Sequence, residues 1–416
     1  MRGLAAQSPP LADDGGGGGG GSSGGEPPYV TGVAVLPADA AIAALSSTGS
    51  ITLFSVAGAT LMPVRTLGLP HPPPLPAVFA TPPPPHTPTA SLSPAPLLYV
   101  ATADGTVLSG DPRTPRLAPF AATSDCTPLL SLAVSADGSR LAGGGHAGQL
   151  TIWDARRGGA PLSETAELHD GHVMALAFEP DGVHNGGVGG GVSGNPTGDA
   201  SRLATAAEDG LLCVLRAGDL VAATADGLPP AAEADDTLVV ANVGSAVDAV
   251  GWAPPPPPPR AVTARGVEAA DRRSPRVWAV TATCGVGVYS ARSGRTVGGT
   301  PDARVSLSQA VATGETPHAT GCAAAPTVEG VVGCVVAPAA RRLYVVGWTT
   351  GGGVVTGHVR HCRGAREGGK GVAVAAPKVL WGKATEGDDV VVRAAAYGEG
   401  LGLVTGGEDG VVRLWR

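Results

Sequence analysis

The chain has 416 residues and is rich in Gly (64) and Pro (39), while aromatic residues make up only 4% of it. This composition favours many short strands joined by turns over long helices. The net charge of -7 argues against a nucleic acid or an anionic membrane as a general partner.

Residues 1–28 form a Gly- and Pro-rich segment that we expect to be disordered. They contain no apolar core long enough for a signal peptide, and no run of about 18 apolar residues follows them. We therefore expect an intracellular protein, located in the cytoplasm or the nucleus.

From Ala43 onward, one pattern of strand, turn and strand recurs along the chain. Its seven copies read AALSSTGSITLF, LYVATADGTVLSG, RLAGGGHAGQLTIWDAR, RLATAAEDGLLCVLR, VWAVTATCGVGVYSA, LYVVGWTTGGGVVTGHV and LVTGGEDGVVRLWR. Each turn contains a glycine, which tolerates the positive φ of tight hairpins, and Asp104, Asp209 and Asp409 precede that glycine in three copies. A further apolar run lies upstream of several copies, as in SLAVSADG and SAVDAVGWAP.

Each unit therefore has three recognisable strands and room for a fourth. Such units recurring at about 40 residues or more are typical of a β-propeller. We predict an all-β, seven-bladed β-propeller with low-complexity loop insertions over residues 29–416. Its approximate blades are 29–60, 76–115, 126–165, 170–244, 245–308, 330–387 and 388–416.

Several motifs in these units resemble those of the WD-repeat, or WD40, family. Trp153 and Asp154 in IWDAR form the Trp-Asp dipeptide, DGHVMALAF contains the Gly-His pair, and Asp209 and Asp409 stand at the family's turn position. The resemblance implies a seven-bladed WD40-type propeller with no established catalytic activity.

The same resemblance implies that His172, Thr205 and Asp209 form a buried hydrogen-bond relay that fixes one blade. Leu215 stands where the family usually has tryptophan, so we expect this network to be incomplete. Trp415 ends the third strand of the last blade, and propellers of this family usually take the fourth strand from the N-terminal segment. Because that segment is largely Gly and Pro here, we predict a ring that is unclosed or only minimally closed.

Low-complexity insertions follow Phe79, Glu179 and Trp252, each between the first and second strands of a blade. In an antiparallel blade these connections share one face with the third-to-fourth-strand connections, here called the insertion-rich face. The opposite, insertion-poor face keeps tight turns except near Gln309–Glu329, and we predict that it docks a protein partner. Its candidate contacts, with scattered surface charge as the alternative interpretation, are Asp104, His146, Asp170, Glu208, Asp388, Asp389, Arg393 and Glu408.

The sequence offers no coherent catalytic set, so we expect a non-enzymatic scaffold or adaptor without a cofactor or a bound metal. His169 and His172 are three residues apart, as are His358 and His361, and side chains at that spacing on a strand point to opposite faces. The alternative from another class is a propeller hydrolase with a central-channel site. It would need carboxylates on the axis, whereas the strands nearest the axis, such as VVRAAAY, are rich in Ala and Val.

The stretch Trp153-Asp154-Ala155-Arg156 also matches the W-D-x-R ending of propellers that serve as substrate receptors of cullin-RING ubiquitin ligases. Arg156 would then contact the ligase adaptor. The fuller motif has aspartate where this chain has Ala147, and Trp-Asp is also the ordinary structural end of a strand, so both interpretations stay open.

Six basic residues lie between Arg360 and Lys383, in a Gly-rich stretch without interleaved aromatic residues. We interpret this stretch as a solvated loop, and nucleic acid is not expected as a partner. The cysteines include no CxxC pair, and we expect most of them to be reduced core residues. No segment suggests self-association, so we predict a monomer.

Overall fold

The computed structural model describes residues 4–11, 28–36, 41–57, 60–69, 78–80, 98–114, 116–166, 168–180, 202–225, 238–254, 274–313, 327–337, 342–349, 353–361, 372–380 and 390–416. These residues form mainly antiparallel β-sheets, which confirms the all-β prediction. None of the helices in this part of the chain is both long and apolar enough to cross a membrane.

The strands follow one another in groups of four, preceded by β1 (Leu4–Gln7). The first three groups are β2 (Val30–Leu36), β3 (Ala41–Ser46), β4 (Ile51–Ala57) and β5 (Thr60–Leu67); β6 (Val78–Ala80), β7 (Leu98–Ala101), β8 (Thr106–Gly110) and β9 (Ala118–Ala122); and β10 (Leu129–Val134), β11 (Arg140–Gly145), β12 (Leu150–Asp154) and β13 (Ser163–Thr165).

The next three groups are β14 (Val173–Phe178), β15 (Arg202–Ala207), β16 (Leu211–Arg216) and β17 (Leu238–Asn242); β18 (Val247–Ala253), β19 (Arg276–Thr281), β20 (Val286–Ser290) and β21 (Thr296–Thr300); and β22 (Val328–Ala337), β23 (Arg342–Thr349), β24 (Val354–His361) and β25 (Val372–Leu380). Three strands end the chain: β26 (Val392–Gly398), β27 (Gly402–Gly407) and β28 (Val412–Trp415). Two helices, α1 (Ala217–Ala225) and α2 (Ala303–Thr313), lie in connections.

Five of the groups form separate four-stranded sheets, each ordered as in the chain. The first group and the last three strands share an eight-stranded sheet, ordered β2-β3-β4-β5-β1-β28-β27-β26. Its two halves are joined through β1, which pairs antiparallel with β28 and meets β5 in one parallel pair, Gln7 with Thr60. The first strands of the groups contact one another in a closed cycle, from β2 through β6, β10, β14, β18, β22 and β26 back to β2.

Apolar side chains fill the space between neighbouring sheets. Tyr99 of one sheet and Leu129 and Trp153 of the next belong to one such cluster, and all three are almost fully buried. Burying a large side chain in this way contributes about 1.5–3 kcal/mol. The second strand of a group is covered on both of its faces, so β11 (RLAGGG) and β15 (RLATAA) are continuous runs of small and apolar residues without polar alternation.

The N-terminal residues close the eight-stranded sheet, so the prediction of an unclosed or minimally closed ring is wrong. Leu4 lies opposite Trp415 in the β1–β28 pairing. Beyond the strand, the amide of Ser8 donates to the carbonyl of Val412 (2.9 Å). Val412 in turn donates its amide to the Ser8 hydroxyl (3.0 Å).

The expectation of disorder over 1–28 is therefore wrong for residues 4–11, while residues 12–27 lie outside the described part of the chain. The physical reason is that closure needs only the short stretch LAAQ before the glycine tract. Ala6 is 2% exposed and packs with Leu61 and Leu414 in one apolar cluster. The composition of the whole segment concealed these few pairing residues.

Some predicted boundaries also differ from the structure. The first group continues through Leu67 rather than ending at 60, and β9 lies beyond the predicted end at 115. The expected solvated loop of Arg360–Lys383 contains the end of β24 and all of β25, so this interpretation is wrong for residues 360–361 and 372–380. The two strands pair along their length, and each contains three valines, which favour a strand despite the nearby glycines.

The low-complexity insertions lie between β6 and β7, β14 and β15, and β18 and β19, as predicted for the insertion-rich face. On the opposite face, β11 and β12 are joined by a single 3-10 turn, His146–Gly148. The longer connection predicted near Gln309–Glu329 begins with α2. Each described strand end lies on one of the two faces, so the turn and strand-end residues can be placed on the insertion-rich or the insertion-poor face.

Candidate functional site

A buried histidine organises the sheet of β14–β17, and it is His169 instead of the predicted His172. Its Nδ1 donates to Oδ2 of Asp209 (3.0 Å), and its Nε2 lies 2.8 Å from Oγ1 of Thr205. The His169 side chain is fully buried. With Nδ1 donating to the carboxylate, a neutral imidazole has only Nε2 left as an acceptor, so the Thr205 hydroxyl donates to it.

The loop before β14 explains why the prediction missed by three residues. The amide of Asp170 donates to the same Asp209 oxygen (3.0 Å), which holds the preceding residue, His169, in the interior. Asp209 also accepts from the amide of Leu211 (2.8 Å) and so fixes its own turn. His172 follows these contacts in the chain, and its side chain is 40% exposed.

The strand register locates the missing tryptophan of this network. In the last sheet, Trp415 pairs with Leu403 and donates Nε1 to Oγ1 of Thr405 (2.8 Å). In the β14–β17 sheet the equivalent pair is Leu203 with Leu215. Leu215 therefore occupies the register position that Trp415 has in the last sheet.

Trp153 stands at the same strand position in the β10–β13 sheet but has a different partner. Its indole donates to the carbonyl of Ala122 (3.3 Å), because Gly143 occupies the place that Thr405 has in the last sheet. A buried histidine, a threonine that bonds a tryptophan, and a tryptophan at this strand position thus occur in different sheets.

The aspartates of the turns act within their own turns. Asp104 accepts from the amide of Thr106 (3.0 Å) and from the Thr102 hydroxyl (2.5 Å), and these hydrogen bonds hold the pKa of the Asp104 carboxyl below its usual range. Asp409 accepts from the amide of Val411 (3.1 Å) and forms an ion pair with Arg413. These contacts support a structural role for both aspartates.

The insertion-poor ends of the first strands share a feature that the sequence analysis missed. A β-bulge interrupts the pairing of six first strands at their second residue. Bulges re-aim side chains and increase local twist. The bulged residues are Thr31, Leu130, Met174, Asp248, Glu329 and Arg393. Arg393 was a predicted contact, whereas Asp248 and Glu329 were not. The residue before each bulged position is Val or Leu, but this pattern is too common in strands to predict a bulge.

Four side chains from neighbouring sheets meet on this face and are here called the polar cluster: His146, His172, Glu208 and Asp248. The rings of His146 and His172 stack edge to face with centroids 4.1 Å apart. Nδ1 of His172 accepts from the amide of Ala147 (3.4 Å), which leaves Nε2 facing Oε2 of Glu208 at 4.0 Å. Two predicted contact residues, His146 and Glu208, are thus brought together with His172, for which a structural role was predicted.

Asp248 is counted in the polar cluster because its carboxyl group interacts electrostatically with Glu208. Asp248 lies at the surface, yet partial desolvation raises the pKa of its carboxyl above the usual range, and the nearby charge of Glu208 raises it further. The described residues offer Asp248 no hydrogen-bond or ion-pair partner. The cluster therefore presents two neighbouring carboxylates with only His172 beside one of them.

The other predicted contacts lie apart from the polar cluster or outside the described residues. Arg393 and Glu408 form an ion pair with each other on the last sheet. Asp170 is exposed, and its backbone amide donates a hydrogen bond to the carboxylate of Asp209. Asp388 and Asp389 are not among the described residues.

Arg156 lies on the insertion-rich face, after the end of β12. Its amide donates to Oδ1 of Asp154 (2.9 Å), and its guanidinium donates to the carbonyl of Asp137 (3.4 Å). The side chain is exposed. Ala147, at the position where the fuller motif has aspartate, lies on the opposite face in the left-handed region, with φ 58°.

The histidine pairs do not converge on a shared site. His169 is buried and His172 faces the surface, but both lie in the loop before β14, where the spacing of a strand does not apply. His358 lies beside the ring of Tyr344, while the side chain of His361 and all of Cys362 fall outside the described part. Within the described ranges, no group of three or more His, Cys, Asp or Glu residues is arranged to hold a metal ion.

None of the described cysteines forms a disulfide bond. Cys213 and Cys334 are buried, and burial raises the pKa of the Cys213 thiol to about 12, which makes it unreactive. Cys126 is exposed and Cys284 is half-buried, so the expectation of core cysteines is confirmed only for the first two.

No protein-family model matches this chain, and comparison with curated proteins gives no match.

Proposed function

We propose that the chain is a seven-bladed WD40-type β-propeller that acts as a non-enzymatic scaffold or adaptor for a protein partner. The closed cycle of contacts among the first strands supports a continuous ring. The pairing of β1 with β28 supports a last blade whose fourth strand comes from the N-terminal residues. Within the WD-repeat family, the order of its blade types resembles that of WD repeat-containing protein 89.

The observation that carries the docking proposal is the polar cluster. Rigid turns and bulges, rather than long loops, hold His146, His172, Glu208 and Asp248 on the insertion-poor face. Pre-organised side chains lose little conformational freedom when a partner binds, so they favour recognition. The ion pair of Arg393 with Glu408 extends this polar surface onto the last sheet.

Affinity purification of the tagged full-length protein, with nuclease treatment and mass spectrometry, tests the proposal. We expect a near-stoichiometric protein partner with the wild type and its loss with the double variant Glu208→Lys, Glu408→Lys. The double variant Arg292→Glu, Arg295→Glu is the matched control, since both of its residues are exposed on the insertion-rich face.

Retention of the partner by the Glu208/Glu408 variant, or its loss only in the arginine control, would contradict docking on the insertion-poor face. If no partner co-purifies with any of the three proteins, the scaffold function is not supported, and the hydrolase alternative becomes the one to test.

A ubiquitin-ligase receptor is the second candidate, and the exposure of Arg156 at the end of the W-D-x-R stretch favours it. Its docking surface would be the insertion-rich face. Replacing Arg156 with Ala should then abolish co-purification of a ligase adaptor, whereas Arg157→Ala, at a similarly exposed position, should not. Equal recovery with both variants would contradict this candidate.

A propeller hydrolase is the candidate from another class. The proximity of Asp248 and Glu208 favours it, because the charge of Glu208 contributes to the raised pKa of Asp248, and two neighbouring carboxylates can divide the roles of general acid and base. A hydrolase screen in which Asp248→Asn and Glu208→Gln each abolish a detected activity would support it, and activity that both variants keep would count against it.

A further inference from the structure

Among the described residues, acids predominate on the insertion-poor face and arginines predominate on the insertion-rich face. Strand ends and turns on the insertion-poor face bear the acidic residues Asp104, Asp125, Asp170, Glu208, Asp209, Asp248, Asp302, Glu329, Glu408 and Asp409. The arginines described on that face are each ion-paired with one of these acids: Arg304 with Asp302, Arg393 with Glu408, and Arg413 with Asp409. Little positive charge is therefore available there.

Arginines collect on the insertion-rich face, mostly where the third strand of a group ends. We call this set the arginine rim, and all of its members are exposed. Arg113 and Arg116 follow β8, Arg156 and Arg157 follow β12, Arg216 ends β16, Arg292 and Arg295 follow β20, Arg342 begins β23 and Arg416 follows β28.

Within the described ranges, much of this charge has no carboxylate partner. Asp111 pairs with Arg113, and Asp154 lies 4.0 Å from Arg157. By contrast, no carboxylate of the described residues lies within ion-pair distance of the remaining rim arginines Arg116, Arg216, Arg292, Arg295 and Arg342. The net charge of -7 for the chain conceals this separation.

We propose that the arginine rim binds the phosphate backbone of single-stranded RNA, independently of base sequence. This would be a second binding surface, separate from the insertion-poor face of the proposed scaffold. Guanidinium groups match phosphate oxygens in a bidentate geometry. Their placement on several successive sheets suits an elongated, flexible polyanion that follows the rim, rather than one compact anion.

Two further features agree with this ligand. None of the large apolar side chains exposed by the described residues is aromatic, so base stacking contributes little and binding depends on the backbone. The acidic face repels a polyanion, which restricts RNA to the rim. Phosphate contacts of this kind give an affinity that falls steeply with salt.

Fluorescence anisotropy with a fluorescein-labelled oligouridine of about 30 nucleotides tests the proposal on the full-length protein. We expect binding at about 0.05 M salt, and a log-log salt slope that corresponds to several phosphate contacts. The triple variant Arg216→Gln, Arg292→Gln, Arg295→Gln should lower the affinity about a hundredfold at about 0.1 M salt and reduce the slope by about two.

Two controls separate the electrostatic effect from folding and from the proposed scaffold function. The triple lysine variant at the same positions keeps the charge and should bind within about threefold of the wild type. The variant Glu208→Gln, Glu408→Gln should bind RNA as the wild type does, even where it loses a protein partner.

Absence of RNA binding by the wild type at low salt would overturn the proposal. Equal affinities for the wild type and the glutamine variant would do the same, as would a lysine variant as weak as the glutamine variant. Polyglutamate of matched charge that displaces RNA at equal concentration would assign the rim to an acidic protein instead. Poor competition by polyglutamate, together with loss of binding in the glutamine variant, would support the RNA assignment.

Discussion

His169 lies fully buried with its Nδ1 3.0 Å from Oδ2 of Asp209, while His172, three residues later, is 40% exposed. The two histidines therefore have separate roles within one short loop. His169 ties the loop to the β15–β16 turn through Asp209 and to β15 through Thr205. The same loop then presents His172 to the surface against His146.

Replacement of these two histidines should separate stability from binding. We expect His169→Ala to lower the free energy of unfolding by about 2–4 kcal/mol, because it leaves the buried Asp209 and Thr205 groups without their partner. His172→Ala should change it by less than about 0.5 kcal/mol. Urea denaturation followed by tryptophan fluorescence measures both variants, and equal losses would contradict the assignment of His169.

The N-terminal strand should be required for a stable, monomeric protein. Deleting residues 1–8 removes β1 and the hydrogen bonds of Ser8 with Val412, and leaves the edge of β28 unpaired. We expect a loss of about 3 kcal/mol of unfolding free energy and the appearance of oligomers in size-exclusion chromatography.

Deletion of residues 15–18 from the glycine tract is the control for this truncation. It shortens the connection between β1 and β2 but keeps both strands, and loop length affects stability only weakly. If the residue 1–8 deletion were as stable and as monomeric as this control, the closing role of β1 would be refuted.

The sequence predicts the repeated sheets well because each contains a strong local signal. Glycine at the hairpin turn, as at Gly210, adopts φ +77°, and apolar strands flank it on both sides. Such signals are short-range and recur, so the pattern stands out even in a biased composition. The tryptophan position of Leu215 was equally readable, since it depends only on spacing within one hairpin.

The features that the sequence did not predict depend on contacts between distant residues. The stretch LAAQ has no strand signal of its own. It forms a strand because it pairs with the edge of β28, about four hundred positions away. Either His169 or His172 could supply the buried imidazole, and the choice is made by the Asp170 amide bonding to Asp209. The bulge that turns Asp248 outward is likewise set by pairing with β19.

The turn glycine Gly148 should be far less tolerant of substitution than Gly138. Both have positive φ, +77° and +64°. A Cβ on Gly148 would lie 1.8 Å from the carbonyl oxygen of His169, whereas a Cβ on Gly138 would meet nothing within 4 Å. We expect Gly138→Ala to cost about 1 kcal/mol from backbone strain alone, and Gly148→Ala to cost considerably more. Thermal denaturation of the two variants checks this, and similar melting temperatures would contradict the close approach of the His169 loop.

Asp248 should make stability depend on pH in a predictable direction. Partial desolvation at the surface raises its pKa in the folded protein, and the charge of Glu208 adds to that effect. An acid with a raised pKa holds its proton more tightly when folded, so its ionisation destabilises the fold as pH rises through and above the ordinary range of aspartate.

The variant Asp248→Asn should therefore raise the melting temperature at pH 7, and this gain should disappear as the pH falls below about 4, where aspartate is protonated in both states. Glu164→Gln is the matched control on an exposed carboxylate, whose Oε1 accepts from the amide of Ser124 (2.9 Å). It should give no such gain at pH 7. A gain for Asp248→Asn that stayed constant from pH 3 to pH 7 would show that the charge of Asp248 is not its cause.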